Sequence, residues 1–316
     1  MSILVIGSVA YDSVTTPAGS REDALGGSAT YFSVASSYFT PVSIVAVVGE
    51  DFLPEHVQLL ENKKVDVSGL EQKPGRSFRW SGVYGAEDVN SRDTLDTQLN
   101  VFAEFSPVLG HDQQRTPYIF LANIDPDLQL GILEQLEATP MLVAMDTMNF
   151  WIAGKKAGLE RVLEKVDVLF VDEGEIRDLT GEVNLVTAAR KTMDMGPSVV
   201  AVKRGASGVL LVGRDSAFAA PAFPLDLVVD PTGAGDSFAG GFMGYLASTG
   251  DLSPDGFRRA AALGSVMGSF AVESFSLDRL VSLTNAEIED RFRALSELVR
   301  FVPLGKTESL PWRNSN

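Results

Sequence analysis

Across 316 residues, 42 acidic side chains against 26 basic ones leave a net charge of −16, a field that repels a phosphate backbone and removes nucleic acid from the expected partners. With no cysteine and only two histidines, His56 and His111, disulfides, thiolate chemistry and a multi-histidine metal centre are excluded, and carboxylates are left as the expected acids and bases. Hydrophobic residues at 45% describe a globular chain, yet no run of 18 apolar residues is present to span a bilayer, and "MSILVIGSVAYDS" lacks a basic leader. The expectation is a cytoplasmic protein with no membrane partner.

In chain order, "SILVIG", "SIVAVVG", "PYIFLA", "MLVAMD", "VDVLFVD", "SVVAVKRG" and "GVLLVG" are short, nearly continuous apolar runs. Continuous runs fit strands buried on both faces, as in a parallel sheet. Helix-compatible stretches such as "ATYFSVASSYF", "LQLGILEQLEA" and "VTAARKTMDM" fall between them, so the order reads as a doubly wound α/β fold. The polar, turn-rich segment at 68–108 breaks this rhythm and predicts a few exposed strands forming a small β-lid, or else an irregular surface excursion. One domain over 1–305 and a loosely held tail over 306–316 complete the expected organisation.

The stretch "VVDPTGAGDSFAGGF", 228–242, carries the chemistry. Pro231 fits poorly inside a helix, whereas Gly233, Ala234 and Gly235 let the backbone turn sharply and approach a ligand. A helix should start near Gly235, and its unpaired amides and positive dipole end make an anion site. Asp236 sits on that turn, where a carboxylate raises repulsion and needs another reason to be present. Phosphoryl transfer supplies one: the amides hold charge developing on a γ-phosphoryl group while Asp236 accepts the proton of an attacking hydroxyl. The alternative is that Asp236 only N-caps the helix.

The full string "DPTGAGDSFAGGF" resembles the second signature of the ribokinase/PfkB carbohydrate kinase family, and other landmarks follow in the family's order over roughly residues 3–280. Asp12 in "ILVIGSVAYDS" stands at the sugar-binding aspartate, and "LGGSATYFSVA" places Gly26, Gly27 and Ser28 at the glycine pair beneath the sugar. "VVGEDF" resembles the family's Gly-Asp-Asp turn. "VDEGEIRDLTG" resembles its Asn-x-x-Glu stretch, with Glu175 present but Asp172 where Asn is usual. "VAVKRGASGVLLV" resembles the hairpin beside the nucleotide, with Lys203, Gly205 and Gly208, and "GSVMGSFAVESFS" resembles the segment closing over adenine, with Ser276 where Gly is common.

The resemblance implies a ribokinase-like three-layer fold with a mostly parallel central sheet and a small β-lid. It also implies an ATP-dependent kinase with Mg²⁺ on the phosphates, Glu175 acting on the metal through water. Asp230 and Thr232 match positions that hold a monovalent cation, such as K⁺, in many relatives, Thr232 lying also beside the nucleotide; the alternative for Asp230 is bracing the turn. The acceptor is expected to be a sugar or sugar-like molecule, or alternatively a nucleoside or cyclitol. Tyr31 stands where ribose-specific relatives carry Asn, and its phenol suits stacking on a larger ring, unless it turns into the helix packing. Asp146 and Asn149 end a strand on the ligand side of the sheet, either for binding or merely to turn. A homodimer through the lid is a further expectation.

Other readings fare worse. The tail's "GKT" at 305–307 has Arg300 where a P-loop needs its first glycine, and "GSVAYDS" has one glycine where a dinucleotide fold needs three. An inactive sugar or nucleotide sensor of the same fold is the alternative of another class, and retention of Asp236 on its turn speaks against it.

Overall fold

The protein is described here as a computed structural model covering residues 1–85 and 92–310. Its strands are β1 (Ile3–Ile6), β2 (Ala10–Thr16), β3 (Gly19–Gly26), β4 (Val42–Gly49), β5 (Val65–Lys73), β6 (Phe78–Tyr84), β7 (Arg92–Gln98), β8 (Tyr118–Leu121), β9 (Leu142–Asp146), β10 (Val168–Asp172), β11 (Val199–Lys203), β12 (Val209–Gly213) and β13 (Ser216–Ala220). Among the described residues, nine of them form one sheet in the order β13-β12-β11-β10-β9-β8-β1-β4-β5. Pairing is parallel from β5 to β11, and the β11-β12-β13 end is antiparallel.

The continuous apolar runs have a direct cause. Alternate residues of β1 enter opposite cores: Ile3 and Val5 face a cluster containing Phe32, Phe120 and Phe242, and Leu4 and Ile6 face one containing Leu159, Leu163 and Ile176. Helices Ser28–Ser36, Ala234–Thr249, Pro254–Ala271 and Asn285–Leu298 cover the first side, and helices Pro126–Leu133, Lys156–Leu163, Glu173–Thr180 and Leu185–Met193 cover the second. All seven apolar runs read from the sequence are strands of this sheet. The glycines of "FAGGFMG" serve close packing: a Cβ on Gly240 would lie 2.6 Å from the Phe32 carbonyl oxygen, and one on Gly241 would lie 2.7 Å from Met267 Cγ. Each costs the helix about 1 kcal/mol in propensity, which the closer packing of helix Ala234–Thr249 on its two neighbours offsets.

The smaller sheet, in the order β3-β2-β6-β7, differs from expectation in where its strands originate. Only β6 and β7 lie within 68–108. The other two come from the hairpin at 10–26, and β5, which opens the polar segment, joins the edge of the large sheet. Exposure hides this assignment: β3 is exposed over most of its length and β7 over all of it, so neither shows an apolar signal. Within the sheet, β2 pairs antiparallel with β3 and parallel with β6, and β6 pairs antiparallel with β7. Residues 301–310, including the described part of the 306–316 tail, are exposed.

Candidate active site

The order of the large sheet reverses at β1, which has β4 on one side and β8 on the other, and open α/β sheets hold ligands outside the carboxyl ends of their strands at such a point. Here the chain leaves β1 through Gly7 and Ser8 toward β2. Ser8 Oγ receives the Ser28 amide at 3.0 Å and lies 3.1 Å from Ser28 Oγ, which ties the strand end to the start of helix Ser28–Ser36. That helix begins after Gly27 at φ 94°, where a Cβ would lie 2.5 Å from the Ser8 carbonyl oxygen. Asp12, on β2, accepts the Gly27 amide at 3.3 Å. Thus Asp12, Gly26, Gly27 and Ser28 form one contiguous corner.

The anion turn faces this corner. Gly233 adopts φ 74° and precedes helix Ala234–Thr249 without any side-chain cap. Asp236 occupies the third helical position, so its carboxylate is not the cap. One expected donor drops out: the Ala234 amide is bonded to the Pro231 carbonyl at 3.2 Å because the turn closes on itself. The amides of Gly233 and Gly235 have no acceptor among the described residues. Asp230 is buried behind them, accepting the Thr232 amide at 2.9 Å and the Ser276 amide at 3.4 Å. Ser276 sits at φ 55°, a left-handed conformation that explains glycine's suitability at that position.

Tyr31 departs from the ring-stacking expectation. Its side chain is 2% exposed, and a Cβ on Gly233 would overlap its ring. The phenol therefore supports the anion turn from beneath, and its face is not open to a substrate.

The other side of the turn, where the sequence places a nucleotide, is organised by a buried ion pair. Lys203, at the end of β11, reaches Asp146 Oδ2, at the end of β9, at 2.6 Å, and a Cβ on Gly235 would lie 3.2 Å from its Nζ. The ammonium therefore stands against the anion turn. Glu175 and Asp172 form a capping box: the Asp172 amide donates to Glu175 Oε2 at 2.8 Å and the Glu175 amide to Asp172 Oδ1 at 2.7 Å. One Glu175 oxygen remains outside that box. Gly205 and Gly208, at φ 51° and 86°, shape the β11–β12 hairpin, whose Arg204 amide bonds the Gly208 carbonyl at 2.8 Å. Asn149 is exposed at the start of the next helix.

Burial sets the protonation chemistry. It pushes Asp236 up to about 7, with the Asp146 carboxylate adding to the rise and Lys203 and Arg92 opposing it. Burial likewise pushes Asp12 up to about 7 against the Gly27 bond, with Asp230 and Asp236 adding repulsion. Glu175 rises to about 8, burial outweighing the nearby Lys203. For Lys203 burial disfavours the charge, but Asp146 and Glu175 overrule it and hold the ammonium above its ordinary range. A half-buried carboxylate that titrates near neutrality is matched to taking a proton from an alcohol.

Several residues here carried no sequence signal. Tyr84 on β6 meets Thr232 Oγ1 at 3.2 Å, and Arg92 on β7 lowers the pKa of both Asp12 and Asp236. Trp151 Nε1 donates to Asn123 Oδ1 at 3.0 Å beyond the ends of β8 and β9. The pattern "WSGVY", aromatic at each end with glycine between, could have marked the inner face of β6.

A carboxylate on an uncapped, glycine-led helix start at the switch point of such a sheet is the layout of a ribokinase-like small-molecule kinase. A family model described as pfkB family carbohydrate kinase matches residues 2–281. The chain belongs to that family, whose members are ATP-dependent phosphotransferases acting on hydroxyl groups. It is 29% identical over 252 residues to a cytidine kinase of Thermococcus kodakarensis, covering 78% of this chain and 88% of that one. It is 25% identical over 249 residues to a nucleoside kinase of Methanothermobacter thermautotrophicus, covering 78% of each. Its fold matches a putative ribokinase II from E. coli in complex with ATP and Mg²⁺, at TM-score 0.76 and 19% identity over 93% of this chain and 99% of that one. It also matches the Methanocaldococcus jannaschii nucleoside kinase, at TM-score 0.75 and 19% identity over 93% and 98%. No helix among the described residues is long and apolar enough to cross a membrane.

Proposed function

We propose that this protein transfers the γ-phosphoryl group of ATP to a hydroxyl of a sugar-like or nucleoside acceptor, with Asp236 as general base. The observation that carries the reading is the placement of Asp236 on an uncapped helix start whose Gly233 and Gly235 amides have no acceptor among the described residues and whose Gly235 lies against the Lys203 ammonium. In this reading Asp12 orients the acceptor hydroxyls against the Gly26–Ser28 corner. The Asp236 carboxylate takes the proton as the hydroxyl oxygen attacks phosphorus and the bond to the β-phosphate oxygen breaks. The amides and Lys203 meet the charge on the transferring group, and the hairpin at Gly205 and Gly208 flanks the nucleotide.

The donor set fits Mg²⁺ carried by the nucleotide. Among the described residues no group of three or more acidic or histidine side chains could cage a metal, and Glu175 keeps one carboxylate oxygen outside its helix-capping bond, enough to hold a coordinated water. Bound there, Mg²⁺ would neutralise phosphate charge. Asp230 braces the turn, each of its oxygens accepting a backbone amide. The four-stranded sheet acts as a lid over the acceptor. Its exposed Leu95, with Leu99 just past the end of β7, favours a homodimer through that sheet, and light scattering that gives the monomer mass at assay concentration would remove that part.

The test is an ADP-release screen across nucleosides, pentoses, hexoses and inositols, with Asp236→Asn beside the wild type. Loss of a positioned base is worth about 10²- to 10⁴-fold in turnover, with nucleotide affinity nearly retained. Wild-type-like turnover in Asp236→Asn would overturn the assignment. A wild-type protein that binds ATP but phosphorylates nothing would point to a sensor.

A further inference from the structure

Beside Asp12, the inner face of the four-stranded sheet carries an indole that the proposed phosphoryl transfer does not use. Because side chains alternate along a strand, Trp80, Gly82 and Tyr84 share one face of β6, and the contact of the Tyr84 hydroxyl with Thr232 shows that this face looks onto the anion turn. Register places Asp12 beside Trp80, Thr94 beside Gly82, and Arg92 beside Tyr84. Gly82 matters for what it lacks. A Cβ there would overlap the Trp80 ring, so the indole lies down across Gly82. Its Nε1 donates to Thr94 Oγ1 at 3.3 Å, which pins it in that pose. The Arg92 guanidinium carbon stands 6.0 Å from the centre of the ring.

From this geometry we propose that Trp80 is a stacking platform for a planar heteroaromatic group on the acceptor, which makes the acceptor a nucleoside whose sugar lies between Asp12 and Asp236. The inference rests on the kinase reading and narrows it to one substrate class. Asp12 and Trp80 are register partners on adjacent strands about 4.8 Å apart, and the indole leans from there toward Gly82, so a ring stacked on it lies a strand spacing or somewhat more from the hydroxyls that Asp12 holds. That is the reach of a glycosidic substituent and exceeds what a lone pentose fills. The carboxylates of Asp12, Asp230 and Asp236 repel a phosphate at the far end of the acceptor, whereas a neutral base brings ring carbonyls and nitrogens that accept from Arg92.

Base stacking on an aromatic side chain is worth on the order of 10- to 100-fold in affinity. The experiment compares cytidine, uridine, inosine and adenosine with ribose, fructose and myo-inositol by kcat/KM in the wild type, Trp80→Phe and Trp80→Ala. Tryptophan emission is titrated with each nucleoside in parallel. One nucleoside should exceed every free sugar and cyclitol by at least about tenfold. In Trp80→Ala the ratio of that nucleoside's kcat/KM to ribose's should fall about 10- to 100-fold, mainly through KM, with Trp80→Phe in between. The nucleoside should quench emission in the wild type and not in Trp80→Phe. A free sugar or cyclitol as best acceptor, an unchanged ratio in both variants, or quenching that survives in Trp80→Phe would each overturn the proposal. If nothing is phosphorylated, the kinase reading falls, and the quenching alone then decides whether Trp80 binds a base.

Discussion

Lys203→Met tests the ion pair at the centre of the site. The substitution keeps most of the aliphatic stem and removes an ammonium that lies 2.6 Å from Asp146 Oδ2 and against Gly235. Asp146 is only 5% exposed and Lys203 20%, so the orphaned carboxylate cannot recover its hydration, and about 3 kcal/mol of stability should be lost. In the proposed mechanism the ammonium is also one of the donors meeting the transferring group, and removal of such a donor costs about 10²- to 10³-fold in kcat. A third effect separates chemistry from mere damage. Lys203 holds the pKa of Asp236 down while Asp146 pushes it up, and Asp146 pushes harder than Lys203 pulls. The acid limb of the pH–rate profile should therefore move above about 7 in Lys203→Met. In the double variant Asp146→Asn/Lys203→Met it should fall to or below the wild-type position. The double variant should also regain stability, having no unpaired buried charge, without regaining kcat. Thermal melts and kcat/KM profiles from pH 5.5 to 9 read all three effects. A single variant with kcat within about twofold of wild type and an unmoved acid limb would refute the role given to Lys203.

In the wild type, kcat/KM should fall tenfold per pH unit below about 7 as Asp236 takes up a proton, and a profile flat down to pH 5 would contradict its assignment. Asp12 and Asp236 both have folded values near 7, above the ordinary 3.8, so between about pH 4 and 7 the folded protein binds more protons than the unfolded chain. Their joint contribution to stability must rise as pH falls through 7. The melting temperature of Asp12→Asn/Asp236→Asn should accordingly gain less than wild type on going from pH 8 to 6.5, and equal slopes would refute the burial argument. Gly233→Ala places a Cβ at φ 74° against the Tyr31 ring, and strain of about 1–2 kcal/mol should lower the melting temperature by roughly 2–3 °C together with kcat, whereas an unchanged melt would mean that the turn adapts.

What the sequence revealed and what it concealed divide along burial. Seven strands of the large sheet are covered on both sides, so each had to be an apolar run, whereas its edge strands β5 and β13 are largely exposed or half-buried, and "DPTGAGDSF" had to be small because Tyr31 and Lys203 press on its glycines. The hairpin at 10–26 was illegible because β3 is exposed and β2 borrows its cover from β6, a strand more than 50 residues away. Tyr31 stayed open for a related reason: residue type alone cannot say whether a phenol beside a ligand site faces the ligand or the turn beneath it, and the second of the two is what its burial favours. Asp146 and Lys203 lie 57 positions apart, and only the adjacency of the β9 and β11 ends to β10 brings them together.

The parallel pairing of β2 with β6 has a consequence for modularity. A lid held in one continuous segment could be cut out or exchanged between relatives like a cassette. Here β2 is an interior strand, bonded to β3 on one side and β6 on the other, so excising 68–108 would uncover a row of β2 amides and carbonyls and leave a sticky margin prone to self-association. Asp12 lies on that same strand, so under the proposed function transplanting acceptor preference between family members requires grafting two distant pieces of chain together, and the carboxylate assigned to the acceptor travels with them.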